Sequence, residues 1–128
     1  MAGIKNIKKI LKNMNPTLNE GVYVFVSVHS LDEIPIEEIV CFFREKEGLT
    51  IIIEKSKAEN LSLKYSYAAA WITLNVNSSL NAVGLTAAFS NELADNGLSC
   101  NVVAGYYHDH IFVHYEDANH ALEVLSNL

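Results

Sequence analysis

Hydrophobic and polar residues alternate most cleanly where Ile72, Leu74 and Val76 point one way and Trp71, Thr73, Asn75 and Asn77 point the other. A period of two is the mark of a half-buried strand, which we place at 67–77. The period then changes. Leu85, Ala88, Phe89 and Leu93 form a helical stripe, so 84–96 reads as a helix, and Asn96-Gly97 is its stop. Leu98 to Ala104 and His110 to Tyr115 read as strands joined by Gly105 to Asp109. Ala118, Ala121, Leu122 and Leu125 line one face of a last helix.

The first half repeats this order. Ile4, Ile7, Ile10 and Leu11, with lysines between them, predict a short amphipathic helix ended by Asn15-Pro16. Asn19-Glu20-Gly21 reads as a turn, and Val22 to Val28 as a strand covered on both faces. A loop at Leu31 to Pro35 and one helical turn around Ile36–Ile39 lead to a hairpin over 40–54, turning at Glu45 to Gly48. A short helix is expected at 55–62. Strand, helix or turn, hairpin, helix thus occurs twice, at a spacing of about 45–50 residues. The expected fold is α+β: two tandem βαββα modules, residues 1–64 with the leading helix and residues 65–128, with antiparallel sheets and helices on one face. A split β-α-β fold closes with a fourth strand, and no residues remain after Leu128 to make one. That sheet edge needs cover from the first module or from another subunit, because an exposed edge invites aggregation.

Composition narrows the function. Half of the 128 residues are hydrophobic, enough for a sizeable core. Every Lys and the single Arg lie at or before Lys64, whereas Glu92, Asp95, Asp109, Glu116, Asp117 and Glu123 follow it. The formal charge of −6 therefore sits wholly in the second half. Such a surface repels phosphate backbones, so no nucleic acid is expected there. Apolar stretches are strand-length, well short of the roughly 20 residues a membrane span requires, so no membrane partner is expected. Residues 1–14 lack the apolar run of a secretory signal. Cys41 and Cys100 form no CxxC pair and read as buried, reduced thiols of a cytoplasmic protein.

One segment suggests a binding site. Ser78-Ser79-Leu80-Asn81-Ala82-Val83-Gly84-Leu85-Thr86 is a polar loop running into a helix start. The first N–H groups of a helix have no partner inside it and suit a small anion. With no cationic side chain in this half, backbone amides would have to hold a carboxylate. The plainer alternative is a helix cap alone, since Ser79 and Asn81 are ordinary N-cap residues.

Val83-Gly84-Leu85-Thr86-Ala87-Ala88-Phe89, followed by Leu93 to Val102, resembles the ACT domain, with Val83 where that family usually has proline. The strings Phe43 to Thr50 and Gly105 to Val113 are similar to a small family of free-standing double-ACT proteins, and this likeness runs from about Met14 onward. The resemblance implies a ferredoxin-like fold and a non-catalytic regulatory module binding a small molecule, an amino acid in most of the family. It implies a site at Ser78, Ser79, Leu80, Asn81, Val83, Gly84 and Leu85, helped by Asn101 and Val102 at the next strand, and a homo-oligomer, a dimer, as the assembled form. No cofactor is implied. The alternative is an assembly module with no ligand.

Other candidates weigh less. His110 and His114 on one strand would stand about 13 Å apart, too far for one metal ion. His108 and His110 would share an ion only if their turn folded them together, so turn and surface histidines are the favoured reading and no metal is expected. Arg44 suits a carboxylate ligand, or pairing with Glu45, Glu47 or Glu54 around its hairpin. Cys100 reads as a core cysteine. Trp71, Thr73, Val103 and Phe112 are expected together on the sheet face away from the helices, as a packing surface. The GxGxxG, P-loop, HExxH and GxSxG patterns are all absent, and no catalytic residues are expected.

Overall fold

The computed structural model describes residues 8–76 and 83–128. Its elements run in the order α1 (residues 8–12), β1 (Thr17–Val28), a 3-10 turn (Ile36–Glu38), β2 (Ile39–Arg44), β3 (Leu49–Glu54) and α2 (Lys55–Asn60). Then follow β4 (Ala68–Leu74), α3 (Leu85–Asp95), β5 (Asn101–Ala104), β6 (Asp109–His114), a second 3-10 turn (Tyr115–Asp117) and α4 (Ala118–Ser126). This is the α+β, ferredoxin-like pair of modules that the pattern predicts. The chain divides into two compact units, Glu20–Ala69 and the residues up to Asn19 together with Ala70–Leu128.

In the unit Glu20–Ala69 the strand run is β2-β3-β1, antiparallel throughout. Val24, Val26, Ile51 and Ile53 turn inward beneath Ala58 of α2, all under 5% exposed. The segment Asn19-Glu20-Gly21, expected as a turn, instead lies inside β1. The Tyr23 hydroxyl donates to the Glu20 carbonyl at 2.7 Å and fixes this stretch locally. Over Tyr23 to Val26 the strand β1 is covered on both faces, with Val24 and Val26 buried on one side and Tyr23 buried and Phe25 half-buried on the other, while Ser27 further on is exposed.

In the other unit the run is β4-β6-β5. The alternation of β4 holds: Ile72, Leu74 and Val76 are buried, while Trp71 and Thr73 are half-buried and Asn75 is exposed. Leu85, Phe89 and Leu93 of α3 and Ala118, Ala121 and Leu125 of α4 close over Ile72, Leu74, Ile111 and Val113. The helix ends as its sequence predicts. The Leu98 N–H returns to the Leu93 carbonyl and the Gly97 N–H to that of Ala94, with Gly97 left-handed at φ +75°. Met14, 1% exposed, belongs to this same core, and Ile10 and Leu11 of α1 pack against it.

Both hairpins turn in the same way. The Glu45 N–H donates to the Gly48 carbonyl and the Gly105 N–H to the His108 carbonyl, each at 2.9 Å. The hairpins recur sixty positions apart, β3 starting at Leu49 and β6 at Asp109, rather than at the expected spacing of 45–50. The reason is α3, whose 11 residues stand where the first module has a three-residue 3-10 turn.

Candidate functional site

The loop-to-helix joint after β4 is the first candidate. Ser78, Ser79, Leu80 and Asn81 lie outside the described residues. Of the remainder, Val83 is 84% exposed, Leu85 is buried in the core, and Gly84 between them is left-handed at φ +94°. Gly84 is the N-cap of α3, and no side chain caps the helix there. Its carbonyl accepts the first helical bond, from the Ala88 N–H at 3.0 Å. A glycine tolerates this backbone where a side chain would be strained. The joint thus sends Leu85 inward and Val83 outward, and among the described residues no side chain caps the helix start.

Asn101 and Val102 face opposite sides of the sheet. Consecutive strand residues face opposite sides. Val102 packs against the core that holds Leu85, whereas Asn101 is exposed and stands opposite Phe112 in the β5–β6 register.

The face away from the helices carries a polar and aromatic cluster. The Trp71 Nε1–H donates to His110 Nδ1 at 3.0 Å, and Thr73 Oγ1 lies 3.2 Å from the same nitrogen. Asn19 Nδ2 donates to Thr73 Oγ1 at 2.9 Å and to the Trp71 carbonyl at 3.2 Å. Trp71 also stacks on Phe112, with ring centroids 6.2 Å apart. An indole N–H only donates, so His110 Nδ1 must accept and the ring proton sits on Nε2. Burial lowers the His110 pKa, the nearby His108 pushes the same way, and Asp109 opposes both. The ring also fills the space beside Gly105, where a Cβ would meet the His108 carbonyl at 2.8 Å and His110 Nε2 at 3.2 Å. Of the expected grouping of Trp71, Thr73, Val103 and Phe112, Trp71 stacks on Phe112, Thr73 lies beside His110, and Val103 stands opposite His110 in the β5–β6 register. His110 is the member that sequence reasoning missed.

A nucleophile–base pair does not assemble at this cluster. Cys100 packs on the helix side of the sheet with Val102, and burial pushes its thiol pKa up, which keeps it protonated. His110 is paired with Val103 in the register and so faces the other way. Cys41 and Cys100 are free thiols, each partly rather than fully buried. Among the described residues no three of His, Cys, Asp and Glu come together to hold a metal ion. None of the described helices is long and apolar enough to cross a membrane.

Sequence reasoning also passed over a hollow in the unit Glu20–Ala69. It measures about 300 Å³, with Val28, Ile34, Leu61 and Leu63 on its apolar side and His29, Asp32 and Glu33 on its polar side. The signal was positional: the loop after β1 is the counterpart of the loop after β4.

Residues 2–70 and 66–127 each match a model of the ACT domain. No curated protein matches the chain. Among solved structures, a Vibrio cholerae protein of unknown function, described as a possible transport protein, is 48% identical over 98% of this chain and 97% of its own, with a TM-score of 0.88. The regulatory subunit of aspartate kinase from Thermus thermophilus shares the fold at a TM-score of 0.63 and 9% identity, covering 88% of this chain and 94% of its own. The E. coli aspartokinase III structure, in complex with aspartate and ADP, does so at 0.61 and 14% identity, with 88% and 32% covered. With one ACT model on each half, and with strands and helices in the matching order, the chain belongs to the ACT-domain family.

Proposed function

We propose that this protein is a regulatory module that binds a small molecule, an amino acid, and carries out no chemistry on it. The observation that carries the reading is the start of α3. It has a left-handed Gly84, no side-chain cap among the described residues, and an exposed Val83 beside it. Helix-start N–H groups suit a carboxylate, and the chain after Lys64 offers no cationic side chain to compete for that role. Ser78, Ser79, Leu80 and Asn81 complete the proposed loop. Asn101 lies on the opposite face from Val102, so Val102 is the closer companion of Leu85. The hollow near Asp32 and Glu33 gives the first module a second place where an ammonium group would be welcome.

The family membership supports the reading, and the fold likeness to an aspartate kinase regulatory subunit supports it further. Aspartate, present in the aspartokinase III structure, is the first ligand to try. A ligand shifts a partner's equilibrium only by its difference in affinity for two states, so the response follows whichever state the ligand favours.

The test is a thermal-shift screen of the twenty amino acids. A true ligand at 100 times its dissociation constant adds about 2.7 kcal/mol to stability. A flat response to all twenty would rule the amino-acid reading out.

A further inference from the structure

We infer that the hollow between α1 and the residues just after β4 binds a short carboxylic acid bearing a hydrogen-bond donor, an ammonium or a hydroxyl, on the neighbouring carbon. The hollow measures about 300 Å³ and is lined by Lys9, Ile10 and Asn13 on one side and by Asn75 and Val76 on the other. It shares no lining residue with the described part of the α3 start, and the inference does not draw on that site.

Charge points to it first. In the unit made of residues 1–19 and 70–128, the only cationic side chains are Lys5, Lys8, Lys9 and Lys12, all before Met14. Of the three on α1, Lys9 is the one that lines the hollow. Its ammonium makes no ion pair among the described residues. The two asparagines supply the rest. Asn75 Nδ2 donates to the Asn15 carbonyl at 2.8 Å and to Thr17 Oγ1 at 2.6 Å, which uses both of its hydrogens. A carbonyl only accepts, so chemistry fixes which end of the amide is nitrogen, and Asn75 has Oδ1 left to offer a ligand. Asn13 Nδ2 donates one hydrogen to the Lys9 carbonyl at 2.9 Å and keeps the other. Ile10, packed on the core, and the buried Val76 make the apolar floor.

The matching ligand follows from these groups. A carboxylate accepts from Lys9 Nζ and Asn13 Nδ2, a short carbon body rests on Ile10 and Val76, and a donor reaches Asn75 Oδ1. An anion without a donor leaves that oxygen unmatched. The walls are already held in place, since Met14 is buried just beyond α1 and the bonds of Asn75 tie the segment after it to β4. A ligand therefore meets a formed site and has little to order.

The experiment titrates the full chain with L-lactate, L-alanine and propionate while heteronuclear NMR follows the backbone and asparagine side-chain amides. L-lactate or L-alanine should give saturable shifts at Lys9, Asn13 and Asn75, and propionate, which lacks the donor, should bind about tenfold more weakly. Lys9→Gln should weaken binding by about tenfold, and Lys9→Arg should stay within about threefold of the parent. Lys8→Gln and Lys12→Gln remove the same charge from outside the hollow and should change binding by less than about twofold. Circular dichroism checks the fold of each variant. Equal losses in the three Lys→Gln variants would mean a diffuse attraction and overturn the inference. Shifts confined to Gly84, Leu85 and Ala88 would place the ligand at the α3 start, overturning this inference and leaving the proposed function standing. No saturable shift with any of the three probes would overturn it as well, and the amino-acid screen then decides the proposed function separately. Shifts at the hollow and none at Gly84 would support the inference whatever that screen returns.

Discussion

At the scale of single residues, His110 is the most informative side chain. Its Nδ1 accepts from Trp71, an interaction that a protonated ring cannot make. Burial and His108 both lower its pKa below the usual 6.5. The unfolded chain therefore takes up this proton at a higher pH than the folded one. The contribution to stability is fully present above about pH 6.5 and is lost as the pH falls below it. We expect the melting temperature to drop between pH 7 and pH 5, and the slope to flatten in His110→Gln, which keeps an acceptor without the titration. Scanning calorimetry across that range checks it, and equal slopes for the two proteins would count against the account. The pairing was not legible in the sequence because Trp71 and His110 lie 39 positions apart. The sequence places both on strands but does not say which strands are neighbours.

At the scale of elements, period and spacing served well where an element has one buried face. The alternation of β4 and the stripe of α3 both come through, with Phe89 wholly buried between Leu85 and Leu93. Phe89→Ala should cost about 3–5 kcal/mol, the range for an aromatic removed from a packed core. Urea denaturation would measure it, and a loss under about 1 kcal/mol would mean that α3 is not seated as described. The same reasoning misjudged β1, because Asn19-Glu20-Gly21 has the composition of a turn and lies in a strand. Local turn preference there yields to long-range pairing, with Tyr23 set against Glu54 and the Tyr23 hydroxyl on the Glu20 carbonyl. For the proposed site, the sequence located the helix start and its glycine. It could not tell that Asn101 and Val102 would part company, which depends on the register of β5 against β6.

At the scale of the whole molecule, the two halves of the sequence differ in how much of their core they supply themselves. The core of Ala70–Leu128 includes Met14, almost fully buried, with Ile10 and Leu11 against it. Asn75 further ties the segment down, donating to the Asn15 carbonyl at 2.8 Å and to Thr17 Oγ1 at 2.6 Å. A fragment of residues 65–128 should therefore lack a cooperative unfolding transition, and in the full chain Met14→Ala should cost about 2–5 kcal/mol. Circular dichroism melts would decide. A fragment melting as sharply as the parent would show that the leading segment is dispensable. The bond between Trp71 and His110 carries one more consequence. Trp71 is the chain's sole tryptophan, so all indole emission arises beside an imidazole that titrates. The molecule contains its own optical reporter, placed where β4 meets β6 and readable without any label.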